Sequence, residues 1–128
     1  HNPTEHSGCE PYAFTNMYLG PDNPRPGFAM FSWISGTAGW MFRAVTQSMI
    51  GFQPTYEGFR MNPCLPSAWD GCSFERMFRK NRYRVTIDNT AHVQSGVKRL
   101  ELDGRPVEGT EIPYCEDGNT HTIHVVMG

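Results

Sequence analysis

Arg82-Tyr83-Arg84-Val85-Thr86-Ile87 is the stretch on which the fold class turns. Tyr83, Val85 and Ile87 alternate with Arg82, Arg84 and Thr86, and a period of two sends successive side chains to opposite faces. The pattern predicts a half-buried strand with one face on a core and the other in water. Phe74, Met77 and Phe78 predict a strand before it, with looser alternation and Arg79-Lys80-Asn81 as the turn. Leu100 and Leu102 predict a third strand, ending at the turn dipeptide Asp103-Gly104. Ile123, Val125 and Met127 predict a last one after Asp117-Gly118-Asn119. Short strands joined by polar turns argue a small antiparallel β-sandwich, or part of one.

Upstream of about Gln53 the period is helical instead. Glu10-Pro11 fits a helix start, with proline at the first helical position. That helix is expected through Tyr12, Phe14, Asn16 and Met17, stopping at Leu19-Gly20-Pro21. Loop chemistry follows from Gly20 to Gly27. A second helix is expected from Gly36 to Ile50, since Ala38, Met41, Phe42, Val45 and Met49 make one apolar stripe. Gly51 would cap its end and Pro54 would block continuation. Two helices cannot bury such stripes alone, so the expectation includes further helices. Asn62-Pro63-Cys64-Leu65-Pro66 reads as a rigid connector between the helical and strand halves.

The 128 residues suffice for a real core, and 38% hydrophobic content is ordinary for a soluble protein. A formal charge of −2 gives no reason to expect nucleic acid or an anionic membrane as partner. No apolar run approaches a membrane span. Cys9, Cys64, Cys72 and Cys115 show no CxxC pair, which reads as reduced thiols in a cytoplasmic protein. His1 rather than Met opens the chain, which fits a piece of a longer polypeptide.

Ser35-Gly36-Thr37 sits where the second helix begins. First-turn N–H groups lack intrahelical partners, and the macrodipole favours an anion there. Phosphate suits such a site, although Ser35 could equally be a plain N-cap. Asn16 could be merely exposed, or could offer its amide to a sugar hydroxyl. His1, His6 and Cys9 form no convincing metal set. His121 and His124 are three apart on a strand and so face opposite ways. No metal is expected. The aromatic residues Trp33, Trp40, Phe42, Phe52, Tyr56, Phe59 and Trp69 read mainly as core. Asp22, Glu57 and Asp70 lie in loops, and none pairs as glycosidic acid and base.

The run Glu10-Pro11-Tyr12-Ala13-Phe14-Thr15-Asn16, followed by Ser32-Trp33-Ile34-Ser35-Gly36-Thr37-Ala38-Gly39-Trp40, resembles glycoside hydrolase family 94. The likeness continues through Gly51-Phe52-Gln53-Pro54-Thr55-Tyr56-Glu57-Gly58, Asn62–Pro66, Trp69 and Phe78-Arg79. These enzymes are inverting phosphorylases of cellobiose, chitobiose, laminaribiose and related β-linked sugars.

The resemblance implies an α+β fragment: residues 1–55 as the last helices of an (α/α)6 barrel, and 56–128 as a C-terminal β-sandwich of jelly-roll type. It implies a β-linked disaccharide and inorganic phosphate as substrates, with no cofactor. Ser35, Gly36 and Thr37 match phosphate-binding positions, Ser35 standing where the family commonly has Thr. Asn16 stands where many members have a sugar-contacting Gln. The family's aspartic acid catalyst belongs upstream of His1, so no residue here is expected to be catalytic. The implied partners are the rest of the same enzyme and, as in many relatives, a second copy in a homodimer. Two other readings stay open: a non-catalytic carbohydrate-binding module, and a related inverting hydrolase.

Overall fold

The alternation at Arg82–Ile87 becomes one strand of a five-stranded sheet in a computed structural model that describes residues 7–10, 13–32 and 36–128. The chain divides into two compact units, His1–Arg43 and Ala44–Gly128.

In the first unit the helix expected over residues 11–19 is not formed by the described residues. A short hairpin stands there instead, with β1 (Met17–Tyr18) antiparallel to β2 (Ala29–Met30). Its cause is local. The buried Thr15 hydroxyl oxygen accepts the N–H of Met17 at 3.2 Å and of Met30 at 3.1 Å. A threonine that bonds nearby backbone offers the chain an alternative to a helix. The intervening Pro/Gly segment turns back on itself, the Leu19 N–H donating to the Phe28 carbonyl at 2.9 Å. The unit ends in α1 (Thr37–Arg43), which buries none of its residues.

The second unit opens with a π-helical turn, Ala44–Met49, whose i→i−5 bond from Ile50 to Val45 is 2.9 Å long. The helix expected from Gly36 to Ile50 is thus realised as seven α-helical and six π-helical residues. Its expected stop is present: Gly51 has φ +73, and a Cβ there would lie 2.2 Å from the Asn62 carbonyl carbon. Only glycine fits both constraints.

β3 (Phe52–Pro54), β4 (Gly58–Met61) and β9 (Glu111–Pro113) form a three-stranded antiparallel sheet in the order β3-β4-β9. The larger sheet contains β5 (Gly71–Phe78), β6 (Asn81–Asp88), β7 (Arg99–Leu102), β8 (Arg105–Val107) and β10 (Thr120–Val126), in the order β5-β6-β10-β7-β8. All four strands anticipated from the sequence are present. The expected all-antiparallel arrangement is corrected at one place, because β10 runs parallel to β6, with Ile123 opposite Val85. The last strand inserts between β6 and β7, which the polar–apolar pattern of single strands does not encode. Asp103 and Gly104, with φ of 50° and 74°, make the tight turn joining β7 to β8.

The core lies between the sheets. Phe52, Phe59, Met61 and Ile112 from the smaller sheet meet Tyr83, Val85, Ile87, Leu100, Ile123 and Val125 from the larger one. Phe52 and Phe59 stack at 4.2 Å between ring centroids, and Phe78 and Tyr83 meet Phe59 edge-on at 5.5 and 4.9 Å. Asn62–Pro66 is not a connector between halves but lies within this unit. Leu65 is buried there, its N–H donating to Gln94 at 3.0 Å, and Cys64 bridges to Ser95.

Candidate functional site

The first intrahelical bond of α1 runs from the Trp40 N–H to the Gly36 carbonyl at 3.1 Å, which makes Gly36 the N-cap residue. Ser35, the first residue of the expected phosphate cradle, lies outside the described residues. Gly36 and Thr37 are described and occupy the helix start. Gly36, Gly39, Trp40 and Arg43 line an open cleft of about 250 Å³. Trp40 is largely exposed, and the Arg43 guanidinium carbon sits 5.9 Å from its ring centroid. Helix-start N–H groups suit an oxyanion, as does the Arg43 guanidinium from the last turn of α1 on the same cleft, and an exposed indole suits the apolar face of a sugar. Among the described residues, a Cβ at Gly39 would meet nothing within 4 Å, and one at Gly36 would meet Trp40 at 3.8 Å.

Asn16 is exposed in the bend before β1, its N–H donating to the Met30 carbonyl at 3.3 Å. It does not line the cleft at α1. The two sequence runs around these residues are nevertheless tied together, since the Ser32 hydroxyl donates to the Glu10 carboxylate at 2.6 Å.

The aromatic residues separate into two groups. Phe52 and Phe59 are core, as expected, whereas Trp40, Phe42, Tyr56 and Trp69 are exposed. Phe42 and Val45 of the expected apolar stripe are exposed too. Trp33 lies outside the described residues. Arg79 explains the Phe78-Arg79 pair: its guanidinium donates to the Tyr56 carbonyl at 2.9 Å and stacks 3.9 Å from the Tyr114 ring centroid. It braces the β3–β4 loop.

One cluster escaped the sequence reading. His121 and His124 take different partners: His124 Nδ1 lies 3.6 Å from Glu101, and His121 lies among Asp103, Cys115 and Asp117. His121 Nδ1 is 2.7 Å from Asp103 Oδ2, and its Nε2 is 3.2 Å from Asp117 Oδ1 and 3.6 Å from Cys115 Sγ. The hydrogen bond to Asp103 holds the imidazole above its usual range, against the effect of burial, with Asp117 adding to the rise. The Asn119 backbone N–H, with lesser help from the Asn119 side chain and His121, holds Asp117 down at about 2. The ligand-like spacing Cys115-x-Asp117-x₃-His121 was the available signal.

Residues 1–51 match the glycosyl hydrolase 94 superfamily catalytic domain, and residues 54–108 the glycosyl hydrolase family 65 C-terminal domain. The solabiose phosphorylase of Paenibacillus borealis is 55% identical over 126 residues, which are 98% of this chain and 16% of that protein. An N,N'-diacetylchitobiose phosphorylase of Vibrio proteolyticus is 36% identical over 120 residues, covering 94% of the chain and 15% of the relative. The 3-O-beta-D-glucopyranosyl-beta-D-glucuronide phosphorylase of Paenibacillus borealis is 29% identical over 127 residues, with 98% and 16% coverage. The chain thus spans about one sixth of the length of these relatives. The resemblance drawn from the Glu10–Asn16 and Ser32–Trp40 runs holds, and the chain belongs to the glycosyl hydrolase 94 superfamily, joining part of its catalytic domain to a C-terminal domain of the family 65 type.

Proposed function

We propose that the chain is part of an inverting phosphorylase acting on a β-linked disaccharide. The observation that carries the reading is the catalytic-domain match over residues 1–51, together with relatives that are themselves named phosphorylases. In this reading an oxygen of inorganic phosphate attacks the anomeric carbon as the glycosidic C–O bond breaks. A carboxylic acid outside these residues protonates the leaving oxygen, and the products are an α-sugar 1-phosphate and a free sugar. Phosphate replaces the activated water of an inverting hydrolase, so no general base is required.

This chain's contribution is binding. Ser35, Gly36 and Thr37 would hold the phosphate at the start of α1, and Asn16 would contact the sugar. The helix-start cleft and its arginine support the phosphate assignment. The uncovered apolar residues of the helical segment support the view that the rest of an (α/α)6 barrel packs over it. Cytoplasmic residence and assembly as a homodimer belong to the same proposal, and four free thiols fit a reducing compartment. Among the described residues no helix is long and apolar enough to cross a membrane.

Ser35→Ala in the complete enzyme tests the proposal. The expected result is a raised KM for phosphate with an unchanged melting temperature. An unaltered phosphate dependence removes Ser35 from the site. Release of free sugar without sugar phosphate by the parent enzyme replaces phosphorolysis with hydrolysis.

A further inference from the structure

The end of the larger sheet where β6 and β10 begin gathers side chains that the phosphorylase reading does not use. Cys115 Sγ, Asp117 Oδ1 and His121 Nε2 converge, these potential donor atoms all lying within 4.8 Å of one another. We propose that Cys115, Asp117 and His121 bind a zinc ion, with water in the fourth position and Asp103 orienting the imidazole.

Two of the three donor–donor distances match those the ion requires. Zinc bonds of roughly 2.0–2.1 Å to N and O and about 2.3 Å to S, at tetrahedral angles, place N and O about 3.4 Å apart and N and S about 3.6 Å apart. The corresponding edges here are 3.2 and 3.6 Å, while the sulfur–carboxylate edge lies within 4.8 Å and would close to about 3.6 Å on binding through the half-exposed Asp117 side chain. Thiolate, imidazole and carboxylate together select zinc over the hard cations, which prefer oxygen alone.

The surroundings fit as well. His121 Nδ1 lies 2.7 Å from Asp103 Oδ2, the carboxylate–histidine arrangement that fixes the tautomer and leaves Nε2 for a metal. Asp103 is itself held, accepting the Thr122 N–H at 2.7 Å. The Asn81 amide donates to Cys115 Sγ at 3.3 Å, and Asn81 Oδ1 accepts the Gly118 N–H at 2.9 Å to shape the loop. The Tyr83 ring stacks on His121 at 5.5 Å between centroids, limiting its rotation. Asp117 leaves an entry path, its side chain 41% exposed against 12% for His121.

Zinc titration by calorimetry tests this, using the EDTA-stripped chain in a Cys64→Ser background because Cys64 is an exposed thiol. The expected result is one zinc per chain. Cobalt in its place should give a thiolate-to-metal charge-transfer band. Cys115→Ser should abolish the band, and His121→Gln should abolish stoichiometric binding. Asp103→Asn should weaken zinc binding by about 10–100-fold while leaving the band's position unchanged. Each variant is compared with its parent by melting in EDTA. Should Cys115→Ser fail to fold, Asp117→Asn supplies the ligand test, with weaker zinc binding at an unaltered melting point in EDTA. Absence of stoichiometric zinc binding overturns the proposal, as does binding that survives both Cys115→Ser and His121→Gln in folded protein.

Discussion

Phe59→Ala should strip the β unit of a large part of its stability. Phe59 is wholly buried in β4, stacked on Phe52 at 4.2 Å and meeting Phe78 and Tyr83 edge-on. Truncating a buried phenylalanine costs about 3–5 kcal/mol, because transfer free energy is lost and a cavity remains. The three aromatic contacts place this site toward the upper end of that range. A folded domain holds about 5–15 kcal/mol in total, so one side chain accounts for a substantial share. With a urea slope of about 2 kcal/mol per molar, a loss of 4 kcal/mol moves the midpoint down by about 2 M. Far-UV circular dichroism over a urea series measures it. Phe59→Leu keeps most of the apolar volume and should cost less than half as much. Tyr56→Ala is the control, since Tyr56 is 99% exposed and should stay within about 0.5 kcal/mol of the parent. A Phe59→Ala midpoint within about 0.5 M of the parent would refute the two-sheet core, because the rings could not then be enclosed as described.

Asn89→Ala should cost about 2–4 kcal/mol, as it removes an amide donating to Trp69 and Val93 carbonyls at 3.0 and 2.9 Å and accepting the Val93 N–H at 3.0 Å, all at a fully buried position. A urea midpoint equal to the parent's would show that water replaces those bonds. Glu75→Gln should flatten the acid limb of stability. Arg84 directly opposite, then Arg82 diagonally, hold the Glu75 carboxyl below its ordinary 4.5. A depressed carboxylate stabilises above its unfolded value, and that contribution disappears as pH falls through the lower folded one. The parent's melting temperature should therefore fall more steeply than the variant's below about pH 4.5, by a small amount given the exposure. Parallel curves would show that the pair contributes nothing.

The strands were legible where burial is one-sided. Tyr83, Val85 and Ile87 are each at most 2% exposed, so the period of two in the sequence mirrors a period of two in burial. β3 and β9 gave no such signal, being three residues long and each ending in proline. The hairpin at Met17 was misread as helix because Phe14, Met17 and Tyr18 share helical spacing, while the Thr15 hydroxyl that decides the backbone is one polar atom. Strand order was out of reach, since the residues of β10 carry the same alternation whichever neighbours they have. The cluster at His121 was half legible: three of its residues are close in sequence, but Asp103 comes from a different turn.

That last contact depends on the strand order itself. β5–β6 and β7–β8 are hairpins with tight turns and can pair early, since closing a short loop costs little conformational entropy. Within the larger sheet β10 joins the two hairpins, parallel to β6 on one side and antiparallel to β7 on the other. Its arrival sets His121 opposite Tyr83 in the β6 register and brings it against Asp103 at the end of β7. The pairing of β10 that completes the larger sheet thus also completes the Asp103–His121–Asp117 chain of hydrogen bonds. A ligand held by Cys115, Asp117 and His121 binds more tightly once Asp103 orients the imidazole, and by that difference in affinity it favours the docking of the last strand.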